Sequence, residues 1–136
     1  MTLFVDTSAW YAAADAGDRN NARARRILQT DPSLLTSDHV LVESWSLLRH
    51  RLHRDAAERF WGRLRAGVSI EPVGQADLET AWGIGAAYPD QDFSIVDRTS
   101  FALMQRLGVH TAASFDSDFA VFRFGPRRER AFNVLR

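Results

Sequence analysis

Short apolar runs that return between helix-length segments narrow the possible folds more than any other feature of this chain. Runs at 3–5, 34–36, 68–73, 110–113 and 131–135 read as strands, being short, apolar or alternating, and bounded by turn-forming residues. Helices are predicted from near Ser8 over 9–16, then over 20–29, 38–52, 55–65, 75–87 and 93–107, with a short helical turn at 116–122. Gly17-Asp18 separates the first two helices, Pro89 stops the one before it and Gly108 ends the longest amphipathic one. A parallel crossover takes about a dozen residues and usually a helix, so this rhythm predicts an α/β protein whose parallel sheet is covered on both faces. At 136 residues the whole chain, 1–136, fits one domain. In such sheets ligands bind beyond the carboxyl ends of the strands. The positions to inspect are therefore Asp6, the segment after Thr36, and Ser114 to Asp118.

Composition removes several functions. All 17 basic residues are arginine, so the lysine-dependent phosphate chemistry of Walker loops, haloacid-dehalogenase phosphatases and response-regulator receivers is unavailable. Arginine forks nevertheless grip phosphate well. The absence of cysteine eliminates disulfides, thiolate zinc sites and cysteine nucleophiles, and agrees with a cytoplasmic location. No apolar run approaches the roughly 20 residues of a membrane span, and the N-terminus lacks the basic and apolar segments of a signal peptide. The expectation is a cytoplasmic protein without membrane association.

What remains to be explained is the acids. Asp6 closes the first strand and precedes a helix, where an aspartate commonly serves as a cap. Thr7 and Ser8 offer two further hydroxyls there, either of which could cap that helix and leave the Asp6 carboxylate free. On a wheel for 93–107, Phe93, Val96, Ser100, Leu103, Met104 and Leu107 form the buried arc, and Asp97 falls inside it. A buried carboxylate must be protonated, paired with an arginine, or bound to a cation. Glu43 lies at the margin of its helix's apolar face, beside Val40 and Leu47. Asp116 and Asp118 share the loop after the late strand, where one would cap the following turn and the other is spare. Converging carboxylates with no soft ligand suit Mg²⁺ or Mn²⁺, and such ions can activate water against a phosphodiester. Arg23 and Arg26, with Arg19 and Arg25, form a candidate phosphate-facing row on the second helix. Arg49, Arg51 and Arg54 form another, although exposed arginine rows are commonly solvated faces. Trp45, Leu48 and Trp61 exceed what one sheet face can cover, which predicts a symmetric dimer.

The opening Phe4-Val5-Asp6-Thr7-Ser8-Ala9, the helical Val40-Leu41-Val42-Glu43, the stretch Asp90-Gln91-Asp92-Phe93-Ser94-Ile95-Val96-Asp97 and the closing Phe115-Asp116-Ser117-Asp118-Phe119 resemble, in order and spacing, the PIN-domain ribonucleases. More narrowly they resemble the VapC-type toxins of VapBC toxin–antitoxin pairs. The resemblance implies a three-layer α/β/α sandwich with a parallel central sheet, and a Mg²⁺-dependent endoribonuclease acting on structured or messenger RNA. It implies that Asp6, Glu43, Asp97 and Asp116 are the acidic quartet that binds metal and carries catalysis, with Asp6 and Asp97 the usual ligands. Thr7 and Ser8 would help hold the site, and Asp90, Asp92 and Asp118 would support it. Many relatives carry a histidine where Asp118 stands. The family also implies a homodimer and a small antitoxin that covers the cleft. Two rival readings are a non-catalytic PIN-like RNA-binding or scaffolding module, and a nuclease or phosphatase acting on other phosphoesters such as DNA. Retention of the whole quartet favours the RNA-cutting enzyme over the module.

Overall fold

Leu3, Phe4 and Val5 are wholly buried, as expected of a strand covered on both faces, which must be apolar along its length. They belong to β1 (Thr2–Val5), the middle strand of a five-stranded sheet in a computed structural model that describes residues 1–30 and 33–136. In chain order there follow α1 (Thr7–Ala14), α2 (Asn21–Thr30), β2 (Ser33–Ser37), α3 (Asp38–Arg51), α4 (Arg54–Gly67), β3 (Ser69–Glu71), α5 (Gln75–Ala87), α6 (Ile95–Leu107), β4 (Thr111–Ala113), α7 (Asp118–Val121), the short strands β5 (Arg123–Phe124) and β6 (Arg130–Ala131), and β7 (Asn133–Leu135). The sheet order is β3-β2-β1-β4-β7, with every neighbouring pair parallel. Right-handed crossovers run from β1 through β2 to β3 and then back past β1 to β4, which places α1 to α4 on one face and α5 and α6 on the other. The expected three-layer α/β/α sandwich is the fold. No helix among the described residues is long and apolar enough to cross a membrane.

Several boundaries depart from the sequence expectation for local reasons. Phe93 precedes α6 instead of opening it, because Ser94 Oγ accepts the Asp97 amide and caps the helix there. The predicted strand at 131–135 divides at Phe132, whose ring turns inward against Phe124 and Phe122. That inward turn separates β7 from the antiparallel hairpin of β5 and β6, which the sequence reading missed. Gly108 ends α6 at φ +67, a left-handed conformation open to glycine. Leu48, expected at a dimer surface, is fully buried core, whereas Trp45 is half-buried and Trp61 is exposed.

Beneath the carboxyl ends of the strands lies an aromatic core. Phe101 stacks on Phe122 at 4.4 Å and meets Phe119 edge-on at 4.9 Å, while Phe93 packs edge-on to Phe101 at 5.3 Å. This cluster fastens α6, α7 and the hairpin to the sheet. At the far end of α6, Arg106 grips Asp77 on α5 through Nε and Nη2 at 2.9 and 3.0 Å, and the Gly74 amide donates to the same carboxylate. Asp77 is buried, and its hydrogen bonds from Arg106 outweigh burial and hold its pKa below the usual value.

Arg106→Leu should therefore destabilise the fold by about 1–3 kcal/mol at neutral pH, toward the lower figure because the arginine is partly exposed. A depressed carboxylate pKa contributes stability above its unfolded value and loses it as pH falls. Urea melts should show the gap between parent and variant closing from about pH 7 to about pH 3, and a gap that stays constant would separate the stability effect from this ion pair.

Candidate active site

β1 and β4 pair in register, Val5 opposite Ala113, so the next residues, Asp6 and Ser114, leave the sheet side by side. The Asp6 amide donates to the Ala113 carbonyl at 3.0 Å, extending the ladder by one bond. Here the sheet order reverses, with β2 on one side of β1 and β4 on the other, which is where open α/β sheets form ligand crevices.

Three hydroxyls brace this end. Ser8 Oγ and Ser114 Oγ each donate to Asp6 Oδ2 at 2.9 Å. Ser8 Oγ also accepts the Phe115 amide and Ser114 Oγ the Asp116 amide, so the loop after β4 is tied to the start of α1. Thr7 Oγ1 donates to Glu43 Oε1 at 2.5 Å, joining α1 to α3. Neither Thr7 nor Ser8 caps α1; the N-cap position is Asp6, whose side chain makes no capping bond.

Asp97 is buried on the first turn of α6. The ion pairs found among the described residues, Arg54–Glu58 and Arg106–Asp77, do not include it. The neighbouring Arg98 turns away and donates through Nε to the Phe93 carbonyl at 2.9 Å. It lies so close to Gly85 that a Cβ there would stand 2.3 Å from Nη1, so the glycine gives the guanidinium its space. Carboxylate oxygens of Asp97, Asp116 and Asp118 lie within 4.8 Å of one another. Asp116 Oδ1 accepts the Asp118 amide at 3.0 Å and turns the loop. Asp118 in turn shares a hydrogen bond with Asp97.

Burial pushes the Asp97 carboxyl up to about 8, helped by the charge of Asp6, the hydrogen bond with Asp118 and the charge of Asp116. Asp6 is raised to about 6 by burial, against the lowering effect of its Ser8 and Ser114 hydrogen bonds. Asp118 is also raised, first by burial. At its raised value Asp97 holds its proton at neutral pH unless a cation replaces it. The donor set is all oxygen, with neither sulfur nor imidazole in the cluster, and so fits a hard divalent ion such as Mg²⁺ or Mn²⁺.

The cleft gathers Asp6, Thr7, Ser8, Glu43, Asp92, Asp97, Asp116 and Asp118 of the expected set along its lining. Asp90 is exposed and outside that lining. Arg23 and Arg26 are exposed on α2; Arg23 lies 6.0 Å from the ring of Phe115, a cleft residue, while Arg26 does not line the cleft. Sequence reasoning gave no role to Ser114 or Ser94 and ranked Asp118 below Asp6, whereas the tight cluster contains Asp118. The signal for Ser114 was its place directly after β4, at the switch point.

The sequence profile of the PIN domain family matches residues 3–125. The chain is 42% identical over 125 residues to the 23S rRNA-specific endonuclease VapC20 of Mycobacterium tuberculosis, covering 90% of this chain and 95% of that relative. It is 28% identical over 116 residues to ribonuclease VapC26 of the same organism, covering 84% and 86%. The crystal structure of Mycobacterium tuberculosis VapC20, described as a sarcin-ricin loop cleaving toxin, superposes with a TM-score of 0.82 at 38% identity over 87% of this chain and 92% of that one. A toxin-antitoxin complex from Klebsiella pneumoniae shares the fold at a TM-score of 0.65 and 15% identity, covering 85% and 88%.

The charge crowding can be measured without metal. A carboxyl raised above its ordinary value contributes stability that is present at low pH and lost as pH climbs through the folded pKa. Asp97→Asn keeps the shape and cannot ionise there. In chelator its melting temperature should exceed the parent's by an amount that grows from about pH 5 to about pH 8, reaching at least about 3 °C. A variant that melts below the parent by the same margin at every pH would make Asp97 a structural hydrogen-bond partner.

Proposed function

The chain belongs to the PIN-domain family, and from that premise we propose that it is a VapC-type toxin, a Mg²⁺-dependent endoribonuclease in which the whole chain acts as one nuclease domain. The observation that carries the reading is the convergence of Asp97, Asp116 and Asp118 beside Asp6, an all-oxygen donor set in which burial raises the pKa values of Asp97, Asp6 and Asp118. Mg²⁺, or Mn²⁺ in its place, would be held by these four residues. When bound, the ion lowers the pKa of its water and neutralises charge on the phosphoryl oxygens. Ser8 and Ser114 hold Asp6 by one carboxylate oxygen and keep it at the strand end. Glu43, fixed through Oε1 by Thr7, takes the proton of the attacking water at Oε2. The water oxygen bonds to phosphorus as the bond to the departing ribose oxygen breaks, and that oxygen takes a proton from solvent water to leave as the hydroxyl. Asp92 supports the rim of the cleft, and Asp90 acts through the loop that precedes α6. Arg23 and Arg26 guide the RNA backbone along α2, Arg23 nearest the cleft.

The substrate we favour is a structured ribosomal RNA stem-loop, supported by the similarity over nine-tenths of the chain to a nuclease named for 23S rRNA. In this reading the protein works in the cytoplasm and is restrained by a cognate antitoxin. A groove between α1, α2 and α4, with Trp10, Leu28, Phe60 and Leu64 lining it and Arg25, Arg59 and Arg63 around it, suits an amphipathic antitoxin segment that carries carboxylates. A homodimer would bury the apolar patch of Leu41, Val42, Trp45 and Trp61.

Cleavage of an RNA stem-loop, an unstructured RNA and a DNA oligonucleotide, each with and without Mg²⁺, tests the reading. RNA should be cut only with the ion, and Asp97→Asn should slow cleavage on the order of a thousandfold while losing most of the parent's thermal stabilisation by Mg²⁺. RNA that is bound but never cut would favour the scaffolding module. Hydrolysis of DNA or small phosphoesters alone would transfer the site to another substrate class.

Sedimentation tests the assembly. Val42 is 64% exposed within the patch, so Val42→Glu should convert a dimer of the parent at about micromolar concentration into a monomer. A parent that sediments as a monomer would remove the dimer.

A further inference from the structure

Glu43, Leu47 and Arg51 recur every fourth residue along α3, so they form one stripe on that helix. All three line the acidic cleft. Arg51 is the only basic residue to do so among the described residues, in a lining that also holds Asp6, Asp18, Glu43, Asp92, Asp97, Asp116 and Asp118. Two helical turns, about 12 Å, separate it from Glu43. The Arg51 backbone is therefore set well along α3 from that of Glu43.

The arginine is also held ready. Its guanidinium lies 5.2 Å from the centre of the Tyr11 ring. Tyr11 is buried and its hydroxyl donates to Asp15 Oδ2 at 2.7 Å, so the ring beneath the guanidinium is fixed. Despite the surrounding acids, Arg51 makes no ion pair with a carboxylate among the described residues. Arg98, next to Asp97, donates to the Phe93 carbonyl, and Arg123 donates to the carbonyls that end α7. Arg51 also shares a hydrogen bond with the Tyr11 hydroxyl, which leaves its remaining N–H donors for an oxyanion, and a planar cation already held in this way loses little freedom when it binds one.

RNA entering this cleft meets carboxylates, and a metal ion compensates them only around Asp97. We infer that Arg51, laid over Tyr11, binds a phosphate of the RNA backbone neighbouring the scissile one and thereby sets how the strand lies across the acids. This rests on the ribonuclease reading above, and it makes Arg51 a substrate-binding residue, distinct from the metal-binding and proton-accepting acids. Arg54, the first residue of α4, pairs with Glu58, and Arg49 is exposed outside the cleft lining. The arginine row that the sequence groups together thus has one member at the site.

The test compares the parent with Arg51→Met, Arg51→Lys and Arg65→Met, the last removing an exposed charge on α4 outside the cleft. Steady-state cleavage is measured with Mg²⁺. Affinity for a fluorescein-labelled RNA stem-loop is measured against salt on an Asp97→Asn background, in which the RNA survives. Arg51→Met should raise KM and Kd about tenfold, leave kcat within about twofold, and reduce the slope of log Kd against log salt by about 0.7, with melting temperature unchanged. Arg51→Lys should restore the salt slope but only part of the affinity, since a point charge replaces the fork. Arg65→Met should match the parent. If the parent cuts RNA and Arg51→Met keeps its Kd and salt slope, the Arg51 assignment is overturned and the ribonuclease reading stands. If Arg51→Met weakens binding only together with a lowered melting temperature, and lysine restores neither, Arg51 is structural and the assignment is again overturned. A parent that neither binds nor cuts RNA overturns both.

Discussion

Phe101 lies nearly parallel to Phe122 with ring centroids 4.4 Å apart and takes the edge of Phe119 at 4.9 Å. The acidic end of the molecule depends on this stack. Phe101 is one helical turn beyond Asp97, and Phe119 directly follows Asp118, so packing the rings draws two like-charged side chains together. Each buried phenylalanine contributes roughly 1.5–3 kcal/mol, whereas a carboxylate pKa raised by one unit reports about 1.4 kcal/mol of disfavoured ionisation. Several rings acting together can therefore hold the carboxylates in place.

Precision at the site comes from hydroxyls. Ser8 and Ser114 meet at Asp6 from opposite ends of the chain, and Thr7 reaches Glu43 across to another helix. Short side chains at the ends of parallel strands suit this task, because the sheet register already fixes their backbones. The acids are thus braced by neutral donors, which orient a carboxylate without neutralising it as an arginine would.

Asp97 was legible in the sequence because helical periodicity set a charge on a buried arc, a conflict visible without coordinates. Asp6 was legible from its place at a strand end, and the sandwich followed from the alternation of strands and helices. The role of Ser114 was not, because its bond to Asp6 depends on β4 pairing with β1 across most of the chain. Nor was the closeness of Asp118 to Asp97, since it depends on the turn that Asp116 makes by accepting the Asp118 amide, which brings both acids to Asp97. The hairpin of β5 and β6 escaped notice because its two-residue strands are too short for an alternating pattern to register, and Phe132 is buried by rings from distant segments. Arg51 looked like its neighbours in composition. Only the position of Tyr11 on another helix distinguishes it.

The central position of β1 has a consequence for synthesis. Its partner β4 is made from the last quarter of the chain, and β4 is itself flanked by β7, Asn133–Leu135. Domains are made N-terminus first, and contacts between distant segments form late. Asp6 leaves the ribosome early but cannot meet Ser114, Asp116 or Asp118 until those residues have emerged as well. A site built this way is assembled only once almost the entire polypeptide is free to fold.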